Sequence, residues 1–312
     1  MIYTITLNPA IDHIILTDRR VELGVTNYYN DEYKVVGGKG INAGIILNNL
    51  GSDVQALGIL GDENKDIFLE KFNEVNLNNK FLLNPGKTRV NYKVKNLESK
   101  QETELNGLGF ETQSSIIDEL IKYLDGVIKP NDIVMVTGSV ARGIEKTIYQ
   151  EIGKLTNKHN ATLVCDATNE LLKYALKEKP FLIKPNLEEI CSTLNIEFKE
   201  DITFDETKEL ILQLKNMGAR NILLSKGSQG SLYFTELGEI YRVGVAKGKL
   251  VNSVGAGDSM LAGFVHGIDQ KLSIEETLQY AAASGAATAF NEWLASKEEI
   301  QSLVNKITVE KI

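Results

Sequence analysis

Four short stretches of this chain carry residues whose types and spacing suit chemistry on a hydroxyl and a phosphoryl group. The first is Asn252-Ser253-Val254-Gly255-Ala256-Gly257-Asp258-Ser259. Small residues at 255–257 leave backbone N–H groups free to point into one space. The apolar pattern of Met260–Ile268 that follows predicts a helix. A helix N-terminus adds partial positive charge, so Gly255, Ala256 and Gly257 form a candidate anion hole. Asp258, at the helix start, is placed to take a proton from an incoming hydroxyl. The same residues admit a plainer role, in which Asp258 only caps the helix and the glycines make a tight turn.

The second stretch is Val36-Gly37-Gly38-Lys39-Gly40-Ile41-Asn42, again just before a predicted helix. Its glycines allow close backbone approach to a ligand, and Asn42 can offer a donor and an acceptor to hydroxyls. It is neither a P-loop nor a dinucleotide fingerprint, because the spacing of neither occurs. Third, Asp12 in Asn8-Pro9-Ala10-Ile11-Asp12 follows the first strand, where a carboxylate can grip adjacent hydroxyls or serve the turn alone. Fourth, Lys184-Pro185-Asn186-Leu187-Glu188-Glu189 follows a strand. Asn186 and Glu189 have capping-box spacing, and the same oxygens suit Mg²⁺, directly or through water.

The elements that must position these residues alternate along 312 residues, 43% of them hydrophobic. Strands are expected at Ile2–Leu7, Val54–Leu60, Ile133–Val136, Thr162–Cys165, Phe181–Ile183 and Asn221–Leu224. Helices are expected at Ile41–Leu50, Asp66–Val75 and about 113–124, 144–157, 186–194 and 205–217. This rhythm predicts an α/β fold whose mostly parallel sheet is covered on both faces and binds ligands at the carboxyl ends of its strands. The last third reads as helical: 257–269, 273–290 and 296–306. Two β-rich inserts, at about 12–36 and 87–107, break the rhythm; Arg89–Asn106 reads as a hairpin turning at Glu98-Ser99-Lys100. They suggest a small sheet acting as a lid on a single domain spanning 1–312.

A net charge of −8 with no basic cluster argues against nucleic acid as a partner. No apolar run is long enough for a membrane span and the N-terminus has no signal-peptide pattern, so the expected location is the cytoplasm. Cys165 and Cys191 sit in apolar runs and read as small core residues.

Together, the four stretches resemble the PfkB branch of the ribokinase-like kinases over nearly the whole chain. The specific pair is GGKGIN with SVGAGDSM; KPNLEE matches the Asn-x-x-Glu motif at Asn186 and Glu189. The resemblance implies a ribokinase-like, Rossmann-type core with a β lid and phosphoryl transfer from Mg-ATP to a sugar. It implies Asp258 as the base, with Gly255, Ala256 and Gly257 as the anion hole. Asp12, Gly37, Gly38, Lys39 and Asn42 would line the sugar site. Lys184, Asn186, Ser225, Gly227, Gly230 and Ser284 would lie on the ATP side, and Glu189 would reach Mg²⁺ through water.

TLNPAID resembles the phosphosugar kinases of this branch, and Thr88-Arg89-Val90-Asn91 matches their arginine segment. Arg89 is therefore the first candidate for the acceptor's phosphate, through bidentate contact, and Ser139 the second. Glu102–Gly107, Ser225–Gly230 and Ala281–Phe290 are similar to the 1-phosphofructokinase group, with the tagatose-6-phosphate kinases next. The implied acceptor is fructose 1-phosphate; the alternatives are tagatose 6-phosphate, fructose 6-phosphate, or an unphosphorylated sugar or nucleoside. Tyr28 stands where a basic residue is usual, and Val140-Ala141-Arg142-Gly143 replaces a proline-containing segment, so Arg142 is a further phosphate candidate. A homodimer formed through the lid is also implied.

Overall fold

The computed structural model describes residues 1–312. Its strands are β1 (Ile2–Thr6), β2 (Ala10–Thr17), β3 (Asp31–Gly37), β4 (Val54–Gly61), β5 (Asn79–Asn84), β6 (Arg89–Asn96), β7 (Glu102–Asn106), β8 (Ile133–Thr137), β9 (Thr162–Asp166), β10 (Leu182–Ile183), β11 (Asn221–Ser225), β12 (Ser231–Phe234), β13 (Ile240–Val243) and β14 (Val309–Lys311). Its helices are α1 (Lys39–Leu50), α2 (Asp66–Glu74), α3 (Ser114–Val127), α4 (Ile148–Lys158), α5 (Asn169–Leu176), α6 (Leu187–Leu194), α7 (Phe204–Asn216), α8 (Ala256–Asp269), α9 (Ile274–Ala289) and α10 (Lys297–Val304).

Ten strands form one sheet in the order β14-β13-β12-β11-β10-β9-β8-β1-β4-β5. From β11 to β5 every neighbouring pair is parallel. The apolar runs of the central strands are buried on both faces, as a parallel sheet requires. One buried cluster joins the sheet to α1, α2, α8, α9 and α10; the other joins its opposite face to α3–α7. Cys165 and Cys191 are free thiols fully buried in the second cluster.

The βα rhythm of the first two thirds follows the hydrophobic pattern. The last third adds to it: β12, β13 and β14, at positions where no element was expected, extend the sheet antiparallel. These strands are three or four residues long, and β14 pairs with a segment nearly seventy positions earlier. Such short runs carry no periodic signal, because long-range pairing defines them. β5 and α5 were not expected either.

The two β-rich inserts form a separate four-stranded sheet, ordered β3-β2-β6-β7. β6 and β7 make the expected hairpin, with Lys100 in the left-handed region at its turn. Alternation sends Asp12, Asn91 and Lys93 to the face that meets the core, and His13, Tyr92 and Leu105 to the other.

α1 lies directly on β1. A Cβ at Gly40 would come within 2.7 Å of the Ile5 carbonyl oxygen and 2.5 Å of Thr6 Oγ1. The third glycine of the GGKGIN stretch thus serves helix–strand contact. Gly40→Ala should destabilise the fold by about 1–3 kcal/mol, the usual scale for overpacking. Urea unfolding measures this; an unchanged midpoint would contradict the packing described.

Candidate active site

The carboxyl ends of β1, β8, β9, β10 and β11 converge on one edge of the large sheet, beneath the lid. The residues that leave those ends are Asn8, Ser139, Asp166, Lys184 and Ser225. α1 and α8 both point their N-termini at this edge.

Gly255 is the N-cap of α8, with φ of 79°, a conformation that glycine adopts without strain. Of the expected anion hole at Gly255, Ala256 and Gly257, the Ala256 amide is taken up by the Ser253 carbonyl, whereas Gly255, Gly257 and Asp258 donate to no carbonyl. Those three N–H groups are left free at the helix start. Asp258 makes no side-chain capping bond. Instead its Oδ2 accepts a 2.8 Å hydrogen bond from Asn42 Nδ2, across more than two hundred residues. The capping alternative for Asp258 is thereby set aside, and the GGKGIN and GAGD stretches are in contact.

Asp258 is buried, and desolvation raises the pKa of its carboxyl above the ordinary aspartate value. Asp166 nearby raises it further, while Lys39, the Asn42 hydrogen bond and Lys184 pull it down. Burial alone would lower the pKa of Lys39, but the charges of Asp166, Asp258 and Glu189 outweigh it and raise it. Lys39 Nζ lies 3.2 Å from Asp166 Oδ2, and Lys184 Nζ lies 3.5 Å from the same oxygen. A Cβ built on Gly257 would sit 3.3 Å from Lys184 Nζ, so Lys184 borders the free amides of α8. Asp166 is absent from the sequence-based candidates. The signal was a carboxylate ending the strand TLVCD.

The lid contributes a second group. Asp12 Oδ1 accepts from Asn91 Nδ2 at 2.9 Å, and Asp12 Oδ2 lies 3.4 Å from Lys93 Nζ. All three side chains are buried. Asp12, Lys93, Asn42, Val254 and Trp293 line a cleft between lid and core, with Gly37 against the Asp12 carboxylate. Asn91, Lys93 and Trp293 were not among the sequence-based candidates. Gly38, the N-cap of α1 at φ 135°, lets the chain turn from β3 into the helix.

Arg89 is engaged by backbone: its Nε donates to the Pro9 carbonyl and an Nη to that of Asn8. Ser139 Oγ accepts from Asn8 Nδ2 at 2.9 Å, so Arg89 and Ser139 meet at one corner. Arg142 donates to the Gly109 carbonyl, which lies beside Arg89. Tyr28 is exposed in the loop between β2 and β3.

On the far side, Asn186 and Glu189 form a complete capping box at α6: Asn186 Oδ1 accepts from the Glu189 amide, and Glu189 Oε2 from the Asn186 amide. One carboxylate oxygen of Glu189 is left free. Asn186 bridges to Ser225, and Gly227 and Gly230 shape the turn from β11 to β12, both with positive φ. Ser284 is the exception among the candidates. It is fully buried where α9 packs against Gly263 of α8, away from the surface of the site. Gly285 next to it, rather than Ser284, approaches the first turn of α8.

A desolvated aspartate beside two lysines and a free helix N-terminus, at the strand ends of a lidded parallel sheet, defines a ribokinase-like phosphotransferase. The chain belongs to the pfkB family of carbohydrate kinases, whose sequence profile matches residues 5–299. It is 36% identical to a 1-phosphofructokinase of Bacillus subtilis over the full length of both chains. It is 30% identical to a D-tagatose-1-phosphate kinase of Bacillus licheniformis over 99% of each. The crystal structure of phosphofructokinase-2 from Escherichia coli with substrates and products shares the fold, with a TM-score of 0.89 at 24% identity over 98% of both chains. No helix is long and apolar enough to cross a membrane.

Because the folded pKa of Asp258 is raised, its ionised form weakens the fold at neutral pH, and protonation relieves this as pH falls. Asp258→Asn should therefore melt at a higher temperature than the wild type near neutral pH. A lower melting temperature in calorimetry would contradict the desolvation described.

Proposed function

We propose that this chain transfers the γ-phosphoryl group of ATP to the C6 hydroxyl of fructose 1-phosphate, giving fructose 1,6-bisphosphate and ADP. The observation that carries the reading is Asp258, desolvated and held by Asn42 beside the free amides of α8. The B. subtilis relative supports the choice of acceptor. Asp258 takes the proton of the attacking hydroxyl, O6 bonds to the γ-phosphorus, and the bond from that phosphorus to the bridging oxygen breaks. The free amides of Gly255, Gly257 and Asp258, with Lys184, meet the charge that develops on the transferred group. Asp12 and Asn42 hold sugar hydroxyls, with Gly37, Gly38 and Lys39 shaping that side. Arg89, Ser139 and Arg142 form the corner for the phosphate already on the sugar. Asn186, Ser225, Gly227 and Gly230 shape the nucleotide side. Closure of the lid excludes water, which would otherwise receive the phosphoryl group.

No group of three acidic, histidine or cysteine side chains is placed to hold a metal ion by itself. That fits Mg²⁺, which keeps several waters and arrives bound to nucleotide phosphates. The free oxygen of Glu189 would hold it, directly or through water, and the ion would supply charge neutralisation there. The outward face of the lid leaves Tyr92 and Leu105 exposed, 43% and 65%. An apolar face on a small sheet supports a homodimer that buries it. The reading also makes this a cytoplasmic enzyme with no nucleic-acid partner.

The B. licheniformis relative supports a second acceptor, tagatose 1-phosphate, which differs from fructose 1-phosphate only in configuration at C4. A panel of fructose 1-phosphate, tagatose 1-phosphate, tagatose 6-phosphate, fructose 6-phosphate and unphosphorylated sugars decides between them by kcat/KM. Fructose 1-phosphate should lead, and preference for an unphosphorylated sugar would overturn the reading. Asp258→Asn should lower kcat roughly 10²–10⁴-fold; near-normal turnover would sink the assignment of the base. In the wild type, kcat should fall with acidification along a limb lying above the ordinary aspartate range, since the carboxylate form is required. A limb at or below that range would count against the raised pKa.

A further inference from the structure

Asp166 holds two lysines that come from opposite sides of the site. Lys39 opens α1 on the sugar side, and Lys184 leaves β10 toward the nucleotide side. Both reach the same oxygen, Oδ2, at 3.2 and 3.5 Å. Asp166 is 2% exposed, and its other oxygen, Oδ1, is buried without any hydrogen-bond partner. Burying a carboxylate is costly, and leaving one of its oxygens unpaired adds to the cost. The sheet does not demand this charge: β9 pairs with β8 and β10 through its backbone, and a neutral side chain of the same shape would fill the position. Around Asp166 the packing is otherwise rigid. Its carbonyl accepts from the Gly138 amide, and Gly138 in turn borders the stem of Lys39.

We propose that Asp166 is a positioning residue for phosphoryl transfer, fixing Lys39 and Lys184 at one shared oxygen and so setting the distance between the acceptor and nucleotide sides. The two lysines are otherwise long, flexible side chains, each with considerable rotamer freedom to lose. Anchoring both at a single buried point orders them before either substrate arrives. It also ties the two half-sites together, because both lysines share one buried oxygen. The inference rests on the kinase reading above. Turnover by the wild type tests that reading, and ratios of variant to wild type test this one.

Asp166→Asn keeps the shape and removes the charge. It should raise KM for ATP and KM for the sugar phosphate together, each about 10- to 100-fold, the scale of one lost hydrogen bond to a charged group. Values of KM within two-fold of the wild type would overturn the proposal, as would a lowered melting temperature with unchanged KM. A double-mutant cycle asks whether Asp166 acts through the lysines. In a Lys39→Met background, Asp166→Asn should no longer change KM for the sugar phosphate; in a Lys184→Met background, it should no longer change KM for ATP. Full additivity in both cycles would overturn the proposal. Should Asp166→Asn fail to fold, Lys184→Met alone remains informative. The shared oxygen predicts that it alters KM for the sugar phosphate as well as for ATP, and an effect confined to ATP would count against the coupling.

Discussion

Two carboxylates, Asp166 and Asp258, are buried within electrostatic reach of each other, and the rest of the site is arranged around keeping both there. Either alone would be expensive to desolvate, and together they repel. Lys39 and Lys184 offset that cost with two positive charges, and Asn42 adds a hydrogen bond to Asp258. The compensation is incomplete by design. Enough desolvation remains to make Asp258 more basic than an ordinary aspartate, and the fold carries that residue of strain.

Such a cluster can exist only where several strand ends meet. β9 delivers Asp166, β10 delivers Lys184, and α1 and α8 bring Lys39 and Asp258 from the other face of the sheet. The close approach of α1 to β1 and of α8 to α9 depends on glycines where any side chain would collide, such as Gly40 and Gly263. The small residues near the cluster therefore divide between two tasks. Gly255 shapes the turn before the free amides of α8, while Gly40 and Gly263 let the helices that carry the charges sit close enough to share them.

The lid follows the same logic at lower charge density. Asp12 is pinned at both oxygens by Asn91 and Lys93 of β6, so its placement depends on the pairing of β2 with β6. A sugar hydroxyl would then meet a carboxylate already oriented, and lid position and sugar binding become one event.

The sequence alone determined the parallel core, the hairpin of the lid and the kinase chemistry. Apolar runs buried on both faces of a sheet, Gly-rich turns before helices and a capping box at Asn186 and Glu189 are local patterns, legible within a dozen residues. It also brought out Asp258 but left open whether that side chain caps its own helix. Only the tertiary structure decided that, because the partner, Asn42, lies more than two hundred residues away. The same distance hid Asp166, which looks like any strand-ending aspartate until two remote lysines close on it. It hid Lys93, a lid lysine like others in sequence, and it misled over Ser284, whose burial comes from Gly263 on a neighbouring helix. Local chemistry is written in neighbouring residues, whereas charge compensation and burial are properties of what the fold brings together.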